Sequence, residues 1–184
     1  GLILLLLLYS TLVTSILELA SLTGRKRWIL PTVLLAGISM TFILLSHIMQ
    51  TRALSIANQS ILIVFFGLIA AGLFYGLGQP GSITAGRLYT SVSLYLILGM
   101  VWFAVYRLID AVSPGSFMVA GAIVTGPMPR STLLYLSFVT LTTVGYGDIV
   151  PVCESARVVN VLVITPLRFI FLIVLVGTTI EVLA

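Results

Sequence analysis

Apolar positions form five long runs along the chain, separated by four polar or charged breaks. The runs cover residues 2–20, 28–48, 53–77, 88–109 and 156–183. Each run is close to the roughly 20 residues that an α-helix needs to cross the hydrocarbon core of a bilayer. The pattern therefore predicts an all-α membrane protein with five spanning helices.

Composition agrees with this interpretation. Of the 184 residues, 60% are hydrophobic and 8% are charged, whereas charged residues make up about a quarter of a soluble domain. The net charge is +4, but the only basic cluster is Arg25, Lys26 and Arg27, between two apolar runs. Because basic residues in short loops stay on the cytoplasmic side of a membrane, this cluster predicts the orientation of a multi-pass protein, not nucleic-acid binding.

Alternation from that cytoplasmic loop places residues 78–87 inside and Gly1 outside. We expect a further helix upstream of Gly1, which would bring both ends inside, and an external N-terminus is the alternative. No apolar run carries Arg or Lys at every third position, the pattern that lets a voltage sensor move several charges through the field. We therefore do not expect a conventional voltage sensor.

A shorter apolar segment follows a connection rich in proline and glycine at residues 110–130. Residues 131–142 are about half as long as a spanning helix, and Ser131 is the expected N-cap. Such a helix can enter a membrane but cannot cross it. Irregular backbone at that depth is tolerated only where it is buried in protein or lines water, which draws attention to the six residues that follow: Thr143, Val144, Gly145, Tyr146, Gly147 and Asp148.

Glycine alternates with side-chain-bearing residues in this motif. Because Gly145 and Gly147 can adopt positive φ without steric cost, successive carbonyl groups can all turn toward one axis. Oxygens arranged in this way replace the water shell of a cation. A simple Gly-Tyr-Gly turn is the alternative, but the preceding half-length helix and the flanking apolar runs favour an ion site.

Together with Thr142, the motif reads TTVGYGD and resembles the signature of potassium channels. The residues from Ile149 into the last apolar run resemble prokaryotic channels that carry a cytosolic nucleotide-fold regulatory domain, often called RCK. The resemblance covers the chain from about residue 88 onward. It implies a pore domain at 88–184 behind a three-helix region at 1–87. Within it we expect an outer helix 88–109, an external loop 110–130, a pore helix 131–142, a filter 143–148 and an inner helix 156–184.

The resemblance also implies how ions are held. In the established mechanism of potassium-channel filters, backbone carbonyls replace the hydration shell of the ion; here these carbonyls belong to Thr143, Val144, Gly145 and Tyr146. Gly147 would close the outer end and Asp148 would anchor the filter from behind. The carboxyl end of the pore helix, with its partial negative charge, would point at the central cavity.

The family's filter needs four loops and this chain contains one, so the resemblance implies a homotetramer in the lipid bilayer of a prokaryotic cell (plasma) membrane. Permeant K⁺ would be bound, with no organic cofactor and no nucleic-acid partner. An RCK-type cytosolic domain is expected beyond Ala184, where relatives attach it, and would gate the inner helix.

Two positions in the last apolar run predict bends. Pro166 lacks an N–H and its ring crowds the carbonyl of Leu162, so we expect a kink that acts either as a gating hinge or as a passive bend. Gly177 is a second candidate. Near the end of the run, Glu181 is a candidate for a cation-concentrating ring at the inner mouth, or else it lies in solvent.

Arg168 is the unusual charge of this run. It lies about 18 Å along the helix from Ala156, near the membrane midplane, where an unpaired charge is costly. Arg168 and Glu181 are 13 residues apart, which separates them by roughly 140° around the axis. If Glu181 faces the inner mouth, Arg168 points into the protein as a structural anchor and binds backbone carbonyls, including that of Leu162.

Catalytic chemistry is not indicated. The lone His47 has no acid or cysteine arranged around it, and we interpret the lone Cys153 as a small hydrophobic residue. Three alternatives to a potassium channel remain. A potassium-transporter subunit would normally join several diverged filter loops in one chain, and a non-selective cation channel usually alters the residues at Tyr146 or Gly147. A non-conducting scaffold is the third.

Overall fold

The computed structural model describes residues 51–78 and 85–183, and seven helical positions between residues 34 and 45. The side chains of residues 85, 88, 174–175, 178–179 and 181–183 are outside this description. The chain divides into two compact units, Gly1–Phe65 and Phe66–Ala184. The sequence prediction instead places a boundary after residue 87, and that domain boundary stays a prediction.

Helices dominate the described residues. They are α1 (Arg52–Leu77), α2 (Ala85–Val112), α3 (Arg130–Leu141), α4 (Glu154–Val159), a π-helical segment (Asn160–Ile164) and α5 (Thr165–Leu183). Three helical stretches of this part of the chain are long and apolar enough to cross a membrane: Arg52–Leu77, Tyr89–Val112 and Glu154–Ile173. The predicted span 2–20 lies outside the described residues, and only isolated positions of 28–48 are described, so the count of five spans stays a prediction.

The core of the second unit holds the half-length helix α3 against the long helix α2. Residues four apart share one face of a helix, and α2 buries such a stripe, which meets the buried leucines of α3. The stripe is Leu94, Leu98, Trp102 and Tyr106, and its α3 counterparts are Leu133, Leu136 and Leu141. The packing fixes the position of α3 and therefore of the loop that follows it.

Gly99 allows the closest approach between these two helices. A Cβ atom added to Gly99 would lie 2.5 Å and 2.6 Å from ring carbons of Phe138 on α3. The phenyl ring therefore occupies the space that any other residue at position 99 would fill. Sequence analysis assigned no role to Gly99, because the contact depends on how α2 and α3 pack.

We expect Gly99→Ala to destabilise the protein by about 1–3 kcal/mol, the usual cost of overpacking a close-packed core. Gly72→Ala is the matched control, since a Cβ on Gly72 in α1 meets nothing within 4 Å. Both variants gain up to about 1 kcal/mol of helix propensity, so their difference isolates the ring contact. Thermal unfolding in detergent measures it, and equal unfolding temperatures for the two variants would disprove the contact's importance.

A three-stranded antiparallel sheet interrupts the helical pattern. Its strands are β1 (Phe117–Val119), β2 (Ala122–Ile123) and β3 (Ile149–Pro151), in the order β2-β1-β3. The two-residue turn between β1 and β2 has φ of 48° at Ala120 and 85° at Gly121, as a type I′ hairpin requires. The all-α expectation is wrong here: part of the predicted loop 110–130 is a hairpin, and β3 adds the segment after residue 148 to it.

Helix ends also differ from the predicted ones. α2 continues past residue 109 to Val112 and stops just before Pro114, which cannot continue a helix. α3 begins at Arg130 because the Pro129 carbonyl accepts the N–H groups of Thr132 at 3.1 Å and Leu133 at 3.3 Å. Ser131 therefore lies within the first turn, and its prediction as N-cap is wrong.

The last helix begins two residues earlier than predicted, at Glu154, because Cys153 caps it. The Cys153 sulfur accepts the N–H of Ala156 at 3.3 Å, so Cys153 is more than a small hydrophobic residue. Burial raises the pKa of the Cys153 thiol, but hydrogen bonds from Ser116, Ser155 and the Ala156 amide bring the pKa below its usual value.

The π-helical segment ends at Ile164, directly before Thr165 and Pro166. The Thr165 N–H reaches back five residues to the Asn160 carbonyl, and the Thr165 hydroxyl donates to the same oxygen at 2.8 Å. The ring of a proline crowds the helical turn that precedes it. A π turn is wider than an α turn, so the wider turn here lies directly before Pro166 and accommodates its ring. Beyond Pro166, α5 runs through Gly177 to Leu183 without a break.

Candidate functional site

The loop of residues 143–148, named here the signature loop, directly follows α3. Positive φ occurs at every second residue: 64° at Thr143, 55° at Gly145 and 76° at Gly147. Alternation in the sign of φ turns successive peptide planes in opposite senses, so their carbonyl oxygens can line one side of the strand. Thr143 is notable because a β-branched residue pays a steric cost for positive φ.

Side chains of the signature loop are largely uncovered in the single chain. All six residues are exposed, with Val144 at 51% and Tyr146 at 71% of their full accessible surface. An exposed valine and tyrosine on an irregular loop that follows a buried helix need a surface to cover them. One side of the signature loop is therefore available for contact with another molecule.

Asp148 connects the carboxyl end of the signature loop to the rest of the unit. Burial and the nearby Asp148 carboxylate raise the pKa of the Tyr135 hydroxyl on α3. The Asp148 carbonyl accepts the N–H of Ala120, in the hairpin turn, at 2.8 Å. Asp148 is thus bonded to the sheet and lies near Tyr135 of α3, a neighbour that the sequence analysis did not foresee.

A partly buried polar cluster lies near the carboxyl end of α3. The Tyr106 hydroxyl of α2 donates to Asn160 Oδ1 at 3.0 Å and lies 3.4 Å from the Thr140 hydroxyl. These contacts connect α2, α3 and the π-helical segment through three side chains. A tyrosine and an asparagine within otherwise apolar helices were the available sequence signal for this cluster, because buried polar groups need partners.

Arg168 points toward the carboxyl end of α3. Its Nη1 donates to the Thr140 carbonyl at 3.0 Å, and the side chain is partly buried. The described partner is therefore a carbonyl of α3, whereas the sequence analysis named that of Leu162. The guanidinium carbon also lies 5.2 Å from the centroid of the Phe169 ring.

A cavity of about 270 Å³ separates the signature loop from this polar cluster. Thr143, Gly145 and Gly147 line one side, and Tyr106, Asn160 and Arg168 contribute to the rest. The structure thus brings the predicted loop and Arg168 together around one space.

The other predicted positions lie apart from this space. Pro166 is the second residue after the π-helical segment, and Gly177 lies further along α5. The side chain of Glu181 is outside the described part of the structure. Among the described residues, no three His, Cys, Asp or Glu side chains come together to hold a metal ion.

Comparison with known protein families assigns the chain to a family. A family model described as "Ion channel" matches residues 90–184, just over half of the chain. The chain belongs to this ion-channel family. The match begins in α2 and includes the sheet, α3, the signature loop and Arg168. No curated protein and no solved structure matches this ion channel.

Family membership and the apolar helices agree with each other. An ion channel lets ions pass down their gradient through a membrane, and the helices long enough to cross a bilayer fit that role. Passive conduction changes no covalent bond, so the family favours a protein that is not an enzyme.

Proposed function

We propose that this ion channel is selective for potassium and that the signature loop is its selectivity filter. The observation that carries the proposal is the regular positive φ at Thr143, Gly145 and Gly147, which allows a row of carbonyl oxygens on one side of the loop. Such a row can take the place of the water around a K⁺ ion. The ligands are the carbonyls of Thr143, Val144, Gly145 and Tyr146.

Asp148 keeps the outer end of the filter in place. Its backbone hydrogen bond with Ala120 in the hairpin turn restrains the loop, and the Tyr135 hydroxyl of α3 lies near its carboxylate. A carbonyl ligand discriminates between ions only while it stays near its position, and this restraint acts next to Gly147. K⁺ is the permeant ion, and we propose no organic cofactor.

The filter requires four copies of the chain, so we propose a homotetramer in the lipid bilayer. One chain supplies one loop, and a ring of loops is needed to surround an ion. The exposure of Val144 and Tyr146 supports this assembly, because uncovered apolar side chains mark interaction surfaces. We propose the plasma membrane of a prokaryote as its location, with five spanning helices in each chain.

Gating is proposed to act on the last helix. The π-helical segment and Pro166 form the hinge, because π turns and prolines are the usual sites of helix bending. Gly177 is a second hinge candidate, and Glu181 is proposed to line the inner mouth. An RCK-type cytosolic domain attached beyond Ala184 would move this helix, and no conventional voltage sensor is proposed.

Reversal potentials test the proposal. Purified protein in liposomes or planar bilayers, under opposing K⁺ and Na⁺ gradients, should reverse close to the K⁺ equilibrium potential. Reversal near zero would instead indicate a non-selective cation channel. Absence of flux would indicate a scaffold, and flux coupled to a second ion would indicate a transporter subunit. Chemical crosslinking should trap species up to four chains.

A further inference from the structure

Arg168 donates a hydrogen bond to the Thr140 carbonyl, which lies at the junction of α3 and the filter. Its Nη1 lies 3.0 Å from the Thr140 carbonyl oxygen, and Thr140 is the next-to-last residue of α3. The same oxygen accepts the N–H of Thr143, the first filter residue, at 3.2 Å. A full positive charge is thus held at the carboxyl end of α3, directly beside the filter.

That end of α3 is its negative pole. The last carbonyls of an α-helix together carry about half a negative charge, and in the proposed pore this pole faces the cavity in which a cation waits below the filter. A guanidinium hydrogen-bonded to one of these carbonyls opposes the pole. The cation in the cavity then experiences a weaker attraction than the helix alone would provide.

Partial burial makes the charge of Arg168 effective over some distance. Its Nε is inaccessible to solvent and has no hydrogen-bond partner among the described residues, so water screens the guanidinium incompletely. At an effective dielectric constant of about 20, one unit charge roughly 10 Å away changes the local equilibrium concentration of a cation by about tenfold. Removing this charge should therefore have a measurable effect on cation binding.

We propose that Arg168 sets the cation occupancy of the cavity, and with it the conductance, by offsetting the negative pole of α3. The inference rests on the proposed function, because it requires the carboxyl end of α3 to face the ion pathway. It differs from a purely structural role of Arg168, in which only the hydrogen bond to Thr140 matters.

Two substitutions separate charge from hydrogen bonding. Arg168→Gln removes the charge but keeps an amide N–H donor, and Arg168→Lys keeps the charge. Tetraethylammonium, applied from the side of the α5 carboxyl end, serves as the probe of cation binding in the cavity. Because the substitution removes four such charges from the tetramer, we expect at least about tenfold tighter block and a higher single-channel K⁺ conductance for Arg168→Gln, and block within about twofold of the wild type for Arg168→Lys.

Arg157→Gln is the control for loss of charge alone. Arg157 is exposed near the outer start of the last helix, where its Nε donates to the Pro151 carbonyl at 3.2 Å. Arg157→Gln removes the same charge at an exposed position 11 residues before Arg168 in the sequence. Block from the α5 side should stay at the wild-type level in this variant.

Several results would overturn the inference. They are unchanged or weaker block in Arg168→Gln, or equal shifts in Arg168→Gln and Arg168→Lys. If Arg168→Gln alone does not assemble, co-expression with tagged wild-type chains gives mixed channels. A single-channel conductance above that of the wild type then supports the inference. A conductance equal to that of the wild type in all mixed channels overturns it. Reversal potentials from the same recordings test potassium selectivity separately. If the pore conducts cations without selecting K⁺, the proposed function fails, but tetraethylammonium block can still be measured.

Discussion

Potassium conduction should fall by a factor of about a thousand or more in Gly145→Ala. Gly145 has φ of 55°, and holding an L-residue in the left-handed region costs roughly 1–2 kcal/mol. In the proposed tetramer the cost occurs four times, for a total of about 4–8 kcal/mol, and about 1.4 kcal/mol corresponds to a factor of ten. Rate measurements of K⁺ flux into liposomes, normalised to the amount of assembled protein, give the result.

The matched control is Gly121→Ala. Gly121 has φ of 85° in the hairpin turn, and a Cβ on either glycine would meet nothing within 4 Å. The two variants therefore introduce similar backbone strain without a steric clash. Gly121→Ala should reduce stability by about 1–2 kcal/mol per chain and leave K⁺ selectivity unchanged. Equal conduction by both variants would contradict the assignment of Gly145 to the filter.

The second large effect is expected at Phe117. The Phe117 side chain is completely buried, and its ring meets that of Tyr106 edge to face at 5.7 Å and 84°. Removing a buried phenyl ring typically costs about 3–5 kcal/mol. Phe117→Ala should therefore lower the free energy of unfolding by that amount, measured by thermal or denaturant unfolding in detergent.

Conduction should also fall in Phe117→Ala, because Phe117 lies in the central strand of the sheet that bonds the carboxyl end of the proposed filter. Ile123→Ala is the control on the same hairpin, since Ile123 is 60% exposed. Its effect on stability should stay within about 0.5 kcal/mol. If both variants unfold alike, the sheet does not depend on the Phe117–Tyr106 contact.

Much of the site was accessible from sequence because it depends on local backbone. The length of the apolar segment before residue 143 predicts a short helix, and that helix exists with bounds shifted by one residue. Glycine at positions 145 and 147 predicts positive φ there, because no other residue adopts it as easily. The three spans that the structure describes follow directly from the length of apolar runs.

Other features depend on contacts that no local pattern encodes. The hairpin turn at Ala120-Gly121 is a weaker signal than Asn-Gly, and strands of two or three residues are too short to show alternation. Helix geometry predicts Arg168 inside the protein if Glu181 faces the inner mouth, but its partner Thr140 is 28 residues away in sequence. Ser131 fits an N-cap by residue type, yet Pro129 supplies the carbonyl that starts the helix.

The π-helical segment has a consequence for every residue beyond it. One π turn contains an additional residue relative to an α turn, and one residue corresponds to about 100° of rotation. Arg168 and Glu181 both follow the segment, so their mutual angle is unaffected, whereas both are rotated relative to Ala156. A single-codon deletion within Asn160–Ile164 would reorient all of the helix that follows the segment, while Glu154–Val159 stayed in place.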